Sequence, residues 1–79
     1  METREDFKKH VKEEAYKAKP SNWRNGQTIF NYVEDVYGVA RKVQFEDGID
    51  CFHTDNTIEE FLDAVYNTLC EYENFRGNK

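Results

Sequence analysis

The residues best suited to chemistry are concentrated in one short segment, 50–55, which reads D-C-F-H-T-D. Cys51 and His53 lie two residues apart between carboxylates, and these side-chain types occur in zinc sites and in Cys–His nucleophile pairs. A closed zinc site needs four ligands, but the only other histidine, His10, lies in the predicted first helix, far from this segment in the sequence. Adjacent carboxylates also disfavour the thiolate that a nucleophile requires. We therefore predict no metal, no cofactor and no catalytic residue, and hence a protein that is not an enzyme.

The same segment is better interpreted as a structural loop. In this interpretation Ile49, Cys51 and Phe52 fill space in the core. The carboxylates of Asp50 and Asp55 accept hydrogen bonds from backbone amides, as side chains of this type commonly do next to turns and helix ends.

A second candidate segment is the connector 21–26, S-N-W-R-N-G, which carries the only tryptophan of the chain. Exposed Trp and Arg side chains are enriched at binding hot spots, so Trp23 and Arg24 are candidate partner-binding residues. In the alternative interpretation Trp23 packs across the end of the fold and Gly26 permits a turn. The connector has neither the second glycine nor the lysine of a phosphate-binding loop.

Charge is distributed unevenly along the chain, whose net charge is −5. Residues 1–24 hold seven basic and five acidic side chains, whereas residues 25–79 hold four basic and eleven acidic ones. No Lys or Arg occurs between Val43 and Phe75. The carboxylates that share the polar side of the last predicted helix are Glu59, Glu60, Asp63 and Glu71. We predict that this face, lacking nearby cations in the sequence, docks on a basic host or phage protein; the alternative is a solvated surface that maintains solubility.

The first helix that positions these residues is predicted over 3–19. Thr3 and Asp6 form a capping pair at its start, and Pro20 ends it. Its apolar stripe is thin, which predicts weak docking, so we expect the main core to lie within residues 25–73.

The remaining helices follow from apolar residues recurring at a period of 3.6. A second helix begins near Asn25 or Gln27. Gly38 either ends it before a short third helix, the interpretation we favour, or lies within one longer helix. Thr57 and Glu60 form a capping box at the start of the last helix, with Asp55 and Asn56 as alternative caps. The pattern predicts an all-α protein, a small three- or four-helix bundle.

We expect one domain over 1–79 with a frayed tail at 75–79, and a strand pair within 43–53 is the main structural alternative. The core of so small a domain is marginal, so dimerisation or partner binding would stabilise it. No apolar run is long enough to span a membrane and no signal peptide is recognisable, which predicts a soluble, cytoplasmic protein. In a reducing cytosol Cys51 and Cys70 are expected to remain thiols that are not joined to one another.

An alternative function is DNA association through a helix-turn-helix over 32–45 together with the basic first helix. Gly38 would occupy the turn. However, Glu34 stands where a small residue usually allows the two helices to cross, and the acidic residues after Gln44 would repel phosphate. Direct nucleic-acid binding is therefore the secondary hypothesis.

Three segments of the chain resemble a loose group of short uncharacterised proteins of bacteriophages, prophages and gut bacteria. They are W-R-N-G-Q-T-I-F-N at 23–31, Y-G-V-A-R at 37–41 and D-C-F-H-T-D at 50–55. The group has R-x-G-Q-x-x-F-N followed by D-C/P-F-Y-x-D, and His53 stands here where the group more often has Tyr. The similarity covers residues 21–70. It implies a phage-type origin and a compact helical fold. With the acidic face, it leads us to predict a protein-binding modulator or inhibitor of a host nucleic-acid-handling or defence system.

Overall fold

The computed structural model describes residues 3–52 and 54–77, with side chains described as far as Tyr72. It contains four α-helices, and no strand occurs among the residues described. The helices are α1 (Arg4–Lys17), α2 (Asn25–Tyr37), α3 (Ala40–Asp47) and α4 (Ile58–Gly77), with a single 3-10 turn at Asp55–Thr57 before α4. The predicted all-α fold is thus confirmed. Because α4 continues to Gly77, the backbone of the predicted tail is helical up to that residue, while residues 78 and 79 lie outside the described part.

α1 begins as predicted, since the Thr3 side chain accepts a hydrogen bond from the Asp6 amide at 3.2 Å. The expectation that this helix docks weakly is wrong. Phe7 and Val11 are almost completely buried and belong to the main core. The Phe7 ring contacts Tyr37 of α2 and Tyr66 of α4, with centroid separations of 5.7 Å and 5.5 Å. A stripe of one residue per turn suffices here because α1 is inserted between two other helices.

Gly38 separates α2 from α3, as the sequence predicted. It adopts a left-handed conformation with φ of 70°, and its amide donates to the carbonyls of Val33 and Glu34. The Glu34 carboxylate then accepts a hydrogen bond from the Arg41 amide at 3.1 Å, in the first turn of α3. Glu34 therefore fixes the α2–α3 corner by satisfying a backbone donor at the start of the second helix.

The predicted capping box at the start of α4 is wrong. The Thr57 hydroxyl donates to the Asp50 carbonyl at 2.6 Å and so ties the loop to the helix. The chain enters α4 through the 3-10 turn, where the Thr54 side chain accepts from the Asn56 amide at 3.2 Å. The first α-helical residue is nevertheless Ile58, the position that a cap at Thr57 predicts, so only the hydrogen bonding of the cap differs from the prediction.

The core draws on all four helices and on the loop before α4. Its largest fully buried side chains are Phe7, Phe61, Ile29, Leu62, Val11, Val33, Val43, Val65 and Cys51. Val36 follows the buried Val33 by three residues on the apolar side of α2, yet it is 55% exposed. The predicted apolar stripe of α2 is therefore wider than the surface that the other helices cover.

Candidate functional site

Two of the four predicted partner-binding carboxylates are paired with α1. Lys8 Nζ lies 2.8 Å from Glu59 and 3.1 Å from Asp63, and Lys12 also pairs with Glu59. Arg4 reaches Asp63 at 3.5 Å and donates to the Asn67 side chain at 2.9 Å. The expectation that the whole acidic face lacks neutralising cations is therefore wrong at Glu59 and Asp63, because tertiary folding brings the basic helix beside them.

These ion pairs hold α1 and α4 together. Only 10% of the Lys8 side chain is exposed, so its hydrocarbon stem packs on the core while its ammonium group reaches the carboxylates. The hydrogen bond to Glu59 raises the pKa of Lys8, and the one to Asp63 adds to this effect. Hydrogen bonds from Lys12 and then from Lys8 lower the pKa of Glu59.

The sequence contains a signal for this pairing that the prediction of an unneutralised acidic face did not include. Residues spaced four apart lie one above the other on a helix. Such a spacing relates the basic residues Arg4, Lys8 and Lys12, and the same spacing relates Glu59, Asp63 and Asn67. The two stripes match in antiparallel order, since Arg4 meets Asp63 and Asn67 whereas Lys12 meets Glu59.

Five acidic residues, Asp63 among them, surround a groove of about 540 Å³ between α3 and α4, which we call the acidic groove. Val43, Ile49 and Ala64 supply its apolar lining. Its polar and charged lining consists of Lys42, Glu46, Asp47, Glu60, Asp63, Asn67, Thr68 and Glu71. Glu60, Asp63 and Glu71 were predicted from the sequence, whereas Glu46 and Asp47 become neighbours of α4 only when α3 packs on it.

Some of the groove carboxylates are paired with a basic side chain and others are not. Glu46 accepts a hydrogen bond from Lys42 at 2.7 Å, and Asp63 is paired with α1. Within residues 3–52 and 54–72, Asp47, Glu60 and Glu71 form no ion pair. Glu60 lies in the first turn of α4, where a negative charge stabilises the helix dipole. Asp47 is the last residue of α3, where the same dipole opposes a negative charge.

The Trp23–Arg24 segment lies at the start of α2 and does not line the acidic groove. Arg24 donates to the Phe52 carbonyl at 3.0 Å, so its guanidinium ties this connector to the loop before α4. Trp23 is half-buried, and its amide closes a turn with the Pro20 carbonyl at 3.1 Å. Partner binding by these two residues stays a prediction, and Arg24 has a structural task that the sequence did not indicate.

The structural interpretation of the 50–55 loop is confirmed for its described residues. Asp50 accepts from the Phe52 amide at 2.8 Å, and Asp55 accepts from the Gly26 amide at 2.8 Å. Cys51 is fully buried and donates to the Gly26 carbonyl at 3.3 Å. Burial, reinforced by Asp50, raises the pKa of the Cys51 thiol to about 12, which opposes thiolate chemistry.

His53 lies outside the described residues. Among the residues that are described, no group of three or more metal-capable side chains is brought together. Cys51 and Cys70 are both in the thiol form.

The pairing of α1 also bears on the DNA hypothesis. The cations that face α4 are held by carboxylates of the same chain, and Lys9 and Lys17 lie beside Glu13 and Glu14 of their own helix. A phosphate backbone would have to compete with these local carboxylates for the lysines. The first helix is therefore a poorer phosphate-binding surface than its composition indicates.

Within the described residues, no helix combines the length and apolar character that crossing a membrane requires. No protein-family model, no curated protein and no solved structure matches the chain.

Proposed function

We propose that the chain is a non-enzymatic protein-binding module whose acidic groove docks on a basic protein. The observation that supports this proposal is the unequal treatment of neighbouring carboxylates. Glu59 and Asp63 are paired with α1, whereas Asp47, Glu60 and Glu71 around the groove form no ion pair among the described residues. Carboxylates that form no ion pair around one concave surface repel one another in the isolated protein, which Lys42 offsets only in part, and they attract a cationic surface.

The size of the groove favours a segment of a protein as the ligand. From Glu60 to Glu71 the axis of α4 rises roughly 16 Å, at about 1.5 Å per residue. Carboxylates along this length, above an apolar floor at Val43 and Ala64, suit a short basic segment that also carries apolar groups. Long-range attraction would accelerate the encounter, and the floor would contribute to the lifetime of the complex.

We further propose that the basic partner handles nucleic acids, and that the chain acts as a phage-type modulator or inhibitor in the bacterial cytoplasm. Proteins that bind nucleic acids present clustered Lys and Arg to phosphates. A surface of carboxylates can occupy the same cations and so compete with the nucleic acid. The resemblance of residues 21–70 to short phage and prophage proteins supports this setting.

Capture of partners from a bacterial lysate tests the proposal. The tagged protein is compared with a Glu71→Lys variant, which reverses a charge in the groove, in nuclease-treated lysate. The matched control is Asp35→Lys, which makes the same change of charge at an exposed position of α2 away from the groove. We expect a basic protein to be retained by the parent and by Asp35→Lys and to be lost with Glu71→Lys. Association with the purified partner should slow at high ionic strength.

Two results would contradict the proposal. One is a partner that Glu71→Lys captures as well as the parent does. The other is a mixture of proteins that disappears on nuclease treatment, which would favour the DNA hypothesis. Deleting the first helix is not a useful test of that hypothesis, because Phe7, Val11 and Ala15 belong to the core. Substituting the exposed Lys9 and Lys17 preserves the core and tests the same point.

A further inference from the structure

The two helices that form the acidic groove each carry an exposed aromatic ring. Phe45 of α3 is 90% exposed, and Tyr72 of α4 is 45% exposed. Phe45 directly precedes Glu46 and lies one turn after Lys42, and both of these residues line the groove. Since residues three apart are neighbours on a helix surface, Phe45 adjoins Lys42 on the outer side of α3, although it does not itself line the groove.

Tyr72 belongs to the same end of the groove as Lys42. Its neighbour in sequence, Glu71, lines the groove together with Lys42. The pKa of Lys42 is raised, first by its hydrogen bond to Glu46 and more weakly by the nearby Tyr72 and Glu71. Carboxylates of the groove and the Tyr72 ring therefore lie within one small region of the surface, and Phe45 lies on the adjoining side of α3.

The protein already contains one arginine bound by this combination of groups. The guanidinium of Arg4 lies over the Tyr66 ring, 5.1 Å from its centroid. The same guanidinium reaches the Asp63 carboxylate at 3.5 Å and donates to the Asn67 side chain at 2.9 Å. An aromatic face and a carboxylate on the surface of α4 thus hold a guanidinium from another helix.

We infer that the acidic groove selects a partner segment that carries arginine rather than lysine, with Phe45 and Tyr72 stacking on the guanidinium groups that the groove carboxylates bind. Arginine is weakly hydrated, planar and able to stack on aromatic rings while it donates to carboxylates. The lysine ammonium is compact and strongly hydrated, so it gains less from an exposed ring. This inference rests on the proposed function and adds the chemistry of the recognised side chain.

Fluorescence anisotropy with labelled oligo-arginine and oligo-lysine peptides of equal length tests the inference on the intact chain. We expect both peptides to bind and oligo-arginine to bind more tightly, by roughly two- to five-fold for each stacked residue. Phe45→Leu should reduce this ratio and leave the affinity for oligo-lysine nearly unchanged. Phe45→Tyr should retain the ratio. Glu71→Gln should weaken the binding of both peptides, and circular dichroism should show the same helical content in every variant.

The outcomes separate this inference from the proposed function. If neither peptide binds, the acidic groove is not a site for basic segments and both statements fail. If both peptides bind the parent with equal affinity, the proposed function stands and the selection of arginine is overturned. If oligo-arginine is preferred to the same degree by the parent and by Phe45→Leu, the preference comes from guanidinium–carboxylate pairing alone, which overturns the stacking role assigned to Phe45.

Discussion

At the scale of single residues, Gly26 is where the backbone leaves no room for a side chain. A Cβ atom at this position would collide with the carbonyl oxygen of Cys51 and lie 2.9 Å from that of Thr54. Its φ is not positive, so space and not backbone conformation requires glycine. The sequence interpretation gave Gly26 the role of permitting a turn, which is wrong, because the residue lies in the first turn of α2 against the loop before α4.

Gly26→Ala should destabilise the protein by about 1–3 kcal/mol, the range for overpacking a close contact. The direction of the change in stability distinguishes a crowded position from an open one, because alanine at an open helical position stabilises a protein by about 0.8–1.0 kcal/mol relative to glycine. Urea denaturation followed by circular dichroism measures the change, with Gln27→Ala as a control at the next position. A gain of stability in Gly26→Ala would show that the loop does not press on the start of α2.

The two cysteines should react at very different rates with a thiol reagent. Cys51 is fully buried and its pKa is raised to about 12, so almost no thiolate is present at neutral pH. Cys70 is partly exposed. Under native conditions one equivalent of reagent should be consumed, at Cys70, and the second only when denaturant unfolds the chain. Mass spectrometry of the labelled peptides identifies the site; modification of Cys51 at the native rate of Cys70 would contradict the buried loop.

At the scale of elements, the sequence was sufficient to predict the helices but not to predict which residues of different helices contact one another. The break at Gly38 and the Thr3 cap were predictable because they depend on residues close together in the chain. The docking of α1 was mispredicted because the groups that Phe7 and Lys8 contact, the rings of Tyr37 and Tyr66 and the carboxylates of α4, lie far away in the sequence. The capping box failed for a similar reason: Thr57 donates to the Asp50 carbonyl, a partner that helix-start patterns do not consider.

The ion pairs between α1 and α4 should make the stability of the protein depend on pH at values below the usual pKa of a glutamate side chain. Hydrogen bonds from Lys12 and Lys8 lower the folded-state pKa of Glu59 from its usual 4.5. Because the ionised carboxylate is favoured in the folded state, it contributes stability at pH values above 4.5. This contribution is lost as the pH falls through the folded-state pKa. The Glu59 side chain is 59% exposed, so we expect a contribution of about 1 kcal/mol or less.

Glu59→Gln should therefore be less stable than the parent at pH 7, and the difference should shrink as the pH falls to 3. Urea denaturation at a series of pH values measures it. Glu60→Gln is the matched control, because it changes the neighbouring carboxylate and leaves the pairs with α1 intact. A Glu59→Gln variant that stays below the parent by the same margin at every pH would mean that its effect comes from packing and not from charge.

At the scale of the whole molecule, folding redistributes the charge that the sequence shows. The basic residues of α1 cover one side of α4 and neutralise Glu59 and Asp63 there. Much of the remaining negative charge borders the acidic groove on the other side, where α3 adds Asp47. The sequence predicted an acidic face on the last helix. It did not separate the structural carboxylates from the remaining ones, because that division depends on which helix packs against each side.

If the groove carboxylates are retained for binding, removing them should stabilise the isolated protein. Asp47 faces the unfavourable end of the α3 dipole and lines the groove with other carboxylates, whereas Glu71 also lies near the Lys42 ammonium group. The variant Asp47→Asn should therefore gain up to about 1 kcal/mol of stability at low salt. The gain should shrink near 1 M salt, where the screening length falls to about 3 Å. The same variant should bind basic peptides more weakly, because residues that serve binding are often unfavourable for stability.

Glu59→Gln, an equivalent change at a paired carboxylate, should lose stability at pH 7. Equal losses in the two variants would show that the groove carboxylates maintain the fold, and a partner would then have to be sought at the Trp23–Arg24 segment.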